Sequence, residues 1–482
     1  MNDNTLIQPL DGHNQRLLAH VHPESWRNPQ PASLYDLVVI GGGTAGLVCA
    51  AGAAGLGARV ALVERGLLGG DCLNTGCVPS KALLRAARAA HEARAGAGVG
   101  VTLTPQVDFA AVMIGVRARR ADLAHHDSAA RLTSLGVHVF FGDASFTGPR
   151  TIAVAGCALR FRRAVVATGG RPAVPPVPGL SEVPYLTSEN VFELTEQPRT
   201  LLVIGGGPIG CEMAQAFALL GTTVTLIEAG PRLLPREDAD ASAIITRRLE
   251  RDGVRIATDA TWSGDLVADA VLVATGRSPN VAGLNLEAAG VRHGVGGVHV
   301  DDRLRSSNRR IYAAGDVCSQ FQFTHAADAM ARIVIQNALF HGRRRASALV
   351  IPWSTYTCPE VAHVGLPPLE AAQAGGEAVT VPLADVDRAV IDGESDGFLR
   401  VHHQGGRIIA ATLVAPHAGE LIGYIASVMR RGGSLGDLSS EIFPYPTLGD
   451  ALRKAGDAYR RTRLTPRVRS ILQRYLALVR RV

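Results

Sequence analysis

The sequence predicts an α/β protein: two Rossmann-like dinucleotide-binding units, with a further domain after them. Three observations predict it. A glycine-rich turn follows a short apolar run twice, at residues 35–46 (YDLVVIGGGTAG) and 201–210 (LLVIGGGPIG). Each turn is followed by a small-residue helix and a second apolar run ending in glutamate, Glu64 and Glu228; the interval from Gly41 to Glu64 is 23 residues, as is that from Gly205 to Glu228. Each copy then meets an apolar run ending in Ala-Thr-Gly, VVATGG at 165–170 and VLVATGR at 271–277. One glycine turn alone is weak evidence, but two matched copies with matched closing strands are specific.

The first 33 residues are polar, with four prolines and three histidines. They lack the apolar core of a secretion signal and are expected to form a flexible arm, with His20 and His22 solvated rather than metal-bound. In the first unit Gly41 allows the tight turn, Gly43 lets the backbone approach a pyrophosphate, and Gly46 lets helix and strand pack closely. The helix N-terminus favours the phosphates, and Glu64 can accept a hydrogen bond from a ribose hydroxyl. Gly205, Gly207, Gly210 and Glu228 repeat these roles in the second unit. A carboxylate at Glu228 binds a free 2′-hydroxyl and repels a 2′-phosphate, which favours NADH over NADPH, although Arg232 four residues on could compensate.

Between the copies lies GGDCLNTGCVPSK, residues 69–81. Cys72 and Cys77 are five positions apart, so a disulfide between them needs a distorted turn. Pro79 suits the first turn of a following helix, whose positive end would stabilise a Cys77 thiolate. Lys81 adds a nearby charge. Of 49 basic residues only Lys81 and Lys454 are lysines, so a compact ammonium is kept here in an arginine-rich chain. A zinc site would need a second Cys/His pair, and none is evident.

At 482 residues the chain should hold about three domains of roughly 150 residues each. Its 47% hydrophobic and 19% charged content fits a folded globular protein. Seven cysteines, scattered apart from one pair, argue for a reducing cytosol over an extracellular disulfide framework. No apolar run is long enough for a transmembrane helix. Residues 451–482 carry a net +9, leaving −3 on the other 450, so nucleic-acid binding by the body is not implied. In the tail, Pro466 marks a helix start. Val468, Ile471, Leu472, Tyr475, Val479 and Val482 follow a helical stripe between arginines. That stripe suits an anionic membrane surface and equally suits packing on the body or a partner subunit.

Over residues 34–460, GGGTAG, GGDCLNTGCVPSK, VVATGG, IGGGPIGCEMAQAF, VLVATGRSPN, YAAGDV and FPYPTLGD together resemble the pyridine nucleotide–disulfide oxidoreductases, mercuric reductase and mercuric reductase-like proteins most closely. The resemblance implies FAD in the first unit and NAD(P)H in the second, and a twofold homodimer formed by an α+β C-terminal domain. The domains would be an arm at 1–33, a split FAD domain at 34–190 and 281–345, an NAD(P) domain at 191–280, an interface domain at 346–460 and a tail at 461–482. Gly70, Thr168, Gly169 and Asp316 match cofactor-side positions of the FAD motifs, and Gly276 lies in the NAD(P) motif. Cys77 matches the thiol beside the flavin, Cys72 the outer thiol that meets substrate, Lys81 a lysine near flavin N5 and Glu212 its carboxylate partner.

Tyr445 takes the place of a histidine that exchanges protons with sulfur substrates in the disulfide-reducing members, and Asp450 that of its orienting glutamate. A phenol of ordinary pKa about 10 is a poor base at neutral pH. A tyrosine there resembles mercuric reductase, whose soft substrate suits thiolates, yet that enzyme's C-terminal cysteine pair and N-terminal metal-binding module have no counterpart here. The shortened segment 258–269 of the second unit has no evident function. The expectation is therefore a cytoplasmic FAD- and NAD(P)H-dependent oxidoreductase. It would pass electrons through Cys72–Cys77 to Hg(II) or another soft metal ion. The alternatives are a lipoamide dehydrogenase-like enzyme, a membrane-surface NADH:quinone reductase and a redox sensor.

Overall fold

The structure, a computed structural model, describes residues 7–480 other than 178, 263 and 265–267. It divides into two compact units: Met1–Ala229 with Asp252–Leu349, and Gly230–Arg251 with Val350–Val482.

The first unit holds both parallel sheets. In one, the strands run in the order Val137–Phe141, Val60–Glu64, Tyr35–Ile40, Cys157–Val166, with Ile311–Ala313 also parallel to Cys157–Val166. Thr151–Val154 and Ser145–Gly148 extend this sheet in antiparallel fashion. The other sheet runs Arg255–Ala257, Thr223–Ile227, Thr200–Ile204, Ala270–Val273, all parallel. Each copy thus has the spatial order third, second, first, fourth. The continuous apolar runs are what a parallel sheet covered on both faces requires; Leu37, Val38 and Val39 have no exposed surface. The small residues of the helix Thr44–Gly55 let the helix Thr324–Leu339 pack close. A Cβ on Gly52 would stand 2.7 Å from Ile335 Cδ1.

The expected flexible arm is, over its described residues, part of the fold. Asp11 caps a helix Gly12–Val21 by accepting from the amides of His13 and Asn14, and Asn14, Leu17 and Val21 are buried. His22 is not solvated; its Nδ1 lies 2.6 Å from the Gly66 carbonyl and its ring packs on Phe141. Asn28 donates to the Phe141 carbonyl and accepts from the Phe141 amide, while Trp26 Nε1 donates to the Val139 carbonyl. Composition misled here because these polar side chains satisfy the open backbone groups of the edge strand Val137–Phe141. An edge strand must be paired or covered.

The second unit is a five-stranded antiparallel sheet in the order Pro352–Thr355, Glu360–Gly365, Arg407–Ala415, Phe398–Gln404, Glu377–Pro382. Residues of the helices Ala418–Arg430 and Asp450–Thr462 complete its core, among them Ile422, Ile425, Leu452 and Ala455. Gly230–Arg251, expected with the NAD(P) domain, groups with this unit. Arg400 forms a two-oxygen ion pair with buried Asp238, and Trp353 Nε1 donates to Glu237 at 2.7 Å. Segment 258–269 falls partly outside the described residues. Among the described residues no helix is long and apolar enough to cross a membrane.

The arm's role is testable. Asn28→Ala removes two hydrogen bonds from Phe141, each worth about 1 kcal/mol. Amide exchange across Val137–Phe141 should accelerate roughly tenfold or more, as read by hydrogen-exchange mass spectrometry, with exchange in the second unit unchanged.

Candidate active site

The two glycine turns have the same geometry. Gly41 and Gly205 take φ +104° and +110°, and a Cβ on either would stand 2.4 Å or 2.6 Å from the carbonyl oxygen of Ala167 or Ala274. A Cβ on Gly46 or Gly210 would come within 1.8 Å of the Gly41 or Gly205 oxygen. These four positions must be glycine for the turn and the close helix–strand contact. Gly43 and Gly207 differ. A Cβ would meet nothing nearer than 3.7 Å at Gly43 and nothing within 4 Å at Gly207, so that space is open to a ligand. Both residues cap their helices at nearly the same angles (φ −78°, ψ −174° and φ −74°, ψ −176°), and no side chain caps either helix. The free amides at both helix starts thus have no side-chain cap, as a pyrophosphate site needs.

The two acids close the turns. Glu64 accepts from the Gly42 amide at 2.5 Å and the Gly66 amide at 2.7 Å, and burial pushes its carboxyl up while these amides pull it down. Glu228 accepts from the Gly206 amide at 2.6 Å. Arg232 is turned to its own segment, donating to the carbonyls of Pro235 and Glu237. Gly70 (φ +56°) faces Gly43, and a Cβ there would stand 2.6 Å from the Gly43 Cα. Thr168 donates its hydroxyl to the Asn280 carbonyl at 2.6 Å, and Gly169 and Gly276 take φ +67° and +128°. These residues fit two dinucleotides.

The cysteine segment has the distorted turn a bridge requires. A short helix Gly70–Asn74 stops at Thr75, and a second, Cys77–Ala95, starts directly after Gly76. Gly76 has φ −132°, ψ −109°, and a Cβ there would stand 2.8 Å from the Asp71 carbonyl oxygen. The break brings the two free thiols close enough for each to shift the other's titration. Cys77, the first residue of its helix, is lowered to about 6: the hydrogen bond from Cys72 acts most strongly, with the Thr324 hydroxyl at 3.3 Å and the charge of Lys81 adding to it against burial. Cys72 is pushed far up by the same hydrogen bond, by burial and by the charge of Cys77. The pair is therefore poised as a thiolate at Cys77 with a thiol donating to it.

One turn further along, Lys81 Nζ donates to Glu212 Oε2 at 2.8 Å. Glu212 is 5% exposed and lies on Pro208–Leu219, the helix of the second glycine turn. Asp316 Oδ2 accepts from Arg277 Nε at 3.2 Å, and burial pushes its carboxyl up against the pull of that guanidinium. Arg277 also bonds Asp71, the neighbour of Cys72, and the Gly170 carbonyl. Three residues of this site escaped the sequence reading: Arg277, Asp71 and Thr324. Arg277 directly follows the Ala-Thr-Gly that closes the second glycine-turn copy, and that position was the only local signal.

Tyr445 and Asp450 lie in the second unit. Tyr445 is 75% exposed and donates its hydroxyl to Asp387 Oδ2 at 2.9 Å, a bond that raises the phenol above its ordinary value. Asp450 pairs instead with Arg453 at 2.7 Å and Lys454 at 3.2 Å. The structure therefore gives Tyr445 a carboxylate partner other than the one sequence position suggested. Burial pushes the Cys49 and Cys318 thiols up to about 12 and Cys211 higher still, which marks them as packing residues. Among the described residues no group of three or more ligating side chains is placed to hold a metal ion.

Residues 35–331 match the pyridine nucleotide-disulphide oxidoreductase family and residues 351–456 its dimerisation domain. A mercuric reductase from Staphylococcus aureus is 37% identical over 446 residues, covering 87% of this chain and 82% of its own. A dihydrolipoyl dehydrogenase from Thermus scotoductus is 34% identical, covering 88% and 97%. The HOCl-induced flavoprotein disulfide reductase RclA from Escherichia coli, solved also as a Cu(II) complex, has a TM-score of 0.79 at 30% identity over 87% of this chain and 99% of that one. Members of this family are oxidoreductases that use FAD and NAD(P)H. With matched glycine turns, a poised thiol pair and both family domains in register, the chain belongs to the pyridine nucleotide-disulphide oxidoreductases.

Proposed function

We propose that this oxidoreductase takes electrons from NADH and delivers them at Cys72 and Cys77 to Hg(II) or another soft metal ion. Tyr445 carries the reading. An enzyme that cleaves or forms a disulfide substrate must move a proton to or from substrate sulfur. An exposed phenol raised above its ordinary value by Asp387 is a poor group for that. A soft cation needs two sulfur ligands and no proton from its substrate. The likeness to mercuric reductases and the Cu(II) complex of a neighbour support a metal acceptor. They make Cu(II) the second ion to test. The overall balance is NADH and Hg(II) to NAD⁺, H⁺ and Hg(0), a two-electron exchange.

The first glycine turn with Glu64, Gly70, Thr168, Gly169 and Asp316 would hold FAD, and the second with Glu228 and Gly276 would hold NADH. FAD bound there would supply the two-electron relay between the nicotinamide and the thiol pair. This chain's residues then do the following. Two electrons break the Cys72–Cys77 bond and leave a thiolate at Cys77 and, with one proton, a thiol at Cys72. Lys81, fixed by Glu212, sets a compact positive charge close to Cys77. Arg277 ties Asp316 to Asp71 beside Cys72, so the cysteine helix is anchored next to the cofactor cradle. An incoming soft ion would displace the Cys72 proton, as metal binding to thiols does, and re-forming the Cys72–Cys77 bond would pass the electron pair to the ion and release it as Hg(0). Glu228 disfavours a 2′-phosphate, and Arg232 is engaged within its own segment. We further infer a cytoplasmic homodimer through residues 351–456. The matched dimerisation domain supports the dimer, and a thiol pair that must cycle reduced supports the compartment.

Two measurements test this. Purified protein loaded with FAD should consume NADH rapidly when a Hg(II)–thiol complex is added. Cys72→Ser should lose about 100-fold or more of that turnover, because one thiolate cannot chelate the ion. NADH reduction of the flavin without metal-dependent turnover, or rapid dihydrolipoamide oxidation, would contradict the metal reading. In the reduced protein, alkylation at Cys77 should titrate with an inflection close to pH 6. The thiolate fraction, and with it the rate, should fall about tenfold per unit below that pH and be level above it. An inflection close to the free-thiol value of about 8.5 would contradict the assigned charge state.

A further inference from the structure

The C-terminal helix Pro466–Val479 takes no part in the chemistry above, and the family's dimerisation domain ends before it, at residue 456. Thr465 caps it by accepting from the Val468 amide, so it is a well-formed helix with a defined start. None of its side chains is buried. Ile471 is 65% exposed, Tyr475 62%, Leu476 53% and Leu478 67%. At 3.6 residues per turn, Val468, Ile471, Leu472, Tyr475, Leu476, Leu478 and Val479 fall within one arc of about 160°. The opposite face carries Ser470, Gln473 and Ala477.

The arginines are not spread evenly around the helix. Arg467 and Arg474 border one edge of the apolar arc, and Arg469 and Arg480 border the other. Residues 460–480 contain seven arginines and no acidic residue. We propose that this helix lies in the headgroup region of an anionic membrane surface, apolar arc inward, with both arginine rows reaching lipid phosphates. Long basic side chains at both edges of an apolar face can bury their stems and keep their charge at the headgroups, and the attraction to anionic lipid is the complement of this charge pattern. A second copy of the same helix is the poorer partner, because pairing the apolar arcs sets arginine rows against arginine rows without a carboxylate between them. The helix is too short to cross the bilayer, so the contact is peripheral.

The test uses the full-length, FAD-loaded protein in co-sedimentation with phosphatidylcholine vesicles, with and without about 30% phosphatidylglycerol. Binding to the anionic vesicles is expected, with about tenfold or greater loss in high salt or when Arg467, Arg469, Arg474 and Arg480 are replaced by glutamine. Ile471→Asp with Tyr475→Asp should abolish binding. NADH reduction of the flavin should be unchanged in both variants, which separates failure of this proposal from failure of the oxidoreductase reading. Equal pelleting with neutral vesicles, or none with either, would overturn it. So would a change of association state in the Asp variant by sedimentation velocity without loss of vesicle binding, which would assign the arc to a second copy.

Discussion

The ion pair between Lys81 and Glu212 is the contact on which the site depends. It joins the helix that begins at Cys77 to the helix that begins at the second glycine turn, so it couples the two copies of the repeated unit. Glu212 is nearly buried, while Lys81 keeps part of its surface open. A carboxylate in that position needs a fixed cation, and the fixed cation is the one whose charge helps hold Cys77 as a thiolate. An arginine would bring a wider, planar group into the same space. A chain that uses arginine almost everywhere else thus has a physical reason for lysine here. Its other lysine obeys the same logic: Lys454 lies 3.2 Å from Asp450 and 3.7 Å from Asp387, a compact charge shared by two carboxylates.

The nucleotide turns are fixed by backbone, with Gly41, Gly46, Gly205 and Gly210 unable to carry a side chain, whereas Tyr445, proposed to serve the acceptor, is exposed and held by a hydrogen bond from its hydroxyl to Asp387. On the proposed metal reading the thiol pair works by ligand exchange at a soft ion: metal binding would drive the proton shift at sulfur, while the Thr324 hydroxyl and Lys81 help hold Cys77 as a thiolate.

Much of this was legible in the residues. The glycine turns, the apolar strands, Glu64 and Glu228 all follow from pattern, because each unit is a compact repeated motif in which the glutamate and the amide it accepts from are 22 residues apart in both copies. The break at Gly76 was legible too, as the distortion that Cys72 and Cys77 require to meet. What sequence could not show are contacts between distant segments of ordinary composition: Thr324 lies 247 residues from Cys77, and Arg277 lies 206 from Asp71. Tyr445 found Asp387 rather than Asp450, because Asp450 sits at a helix start where Arg453 and Lys454 are one turn away. The arm read as flexible because Trp26 and Asn28 carry no apolar pattern. Their work is to satisfy the backbone of an edge strand.

The most direct test is the rate of flavin reduction by NADH in Lys81→Arg, measured by stopped flow beside the unaltered protein. Lys81→Arg is expected to bind FAD in full, since the first glycine turn is left intact, yet to reduce its flavin more slowly, because the compact positive charge proposed beside the flavin, which would favour its reduced form, has been displaced. Unchanged reduction in that variant would contradict it: lysine at this position would then be incidental, and the pair with Glu212 would be a packing contact alone.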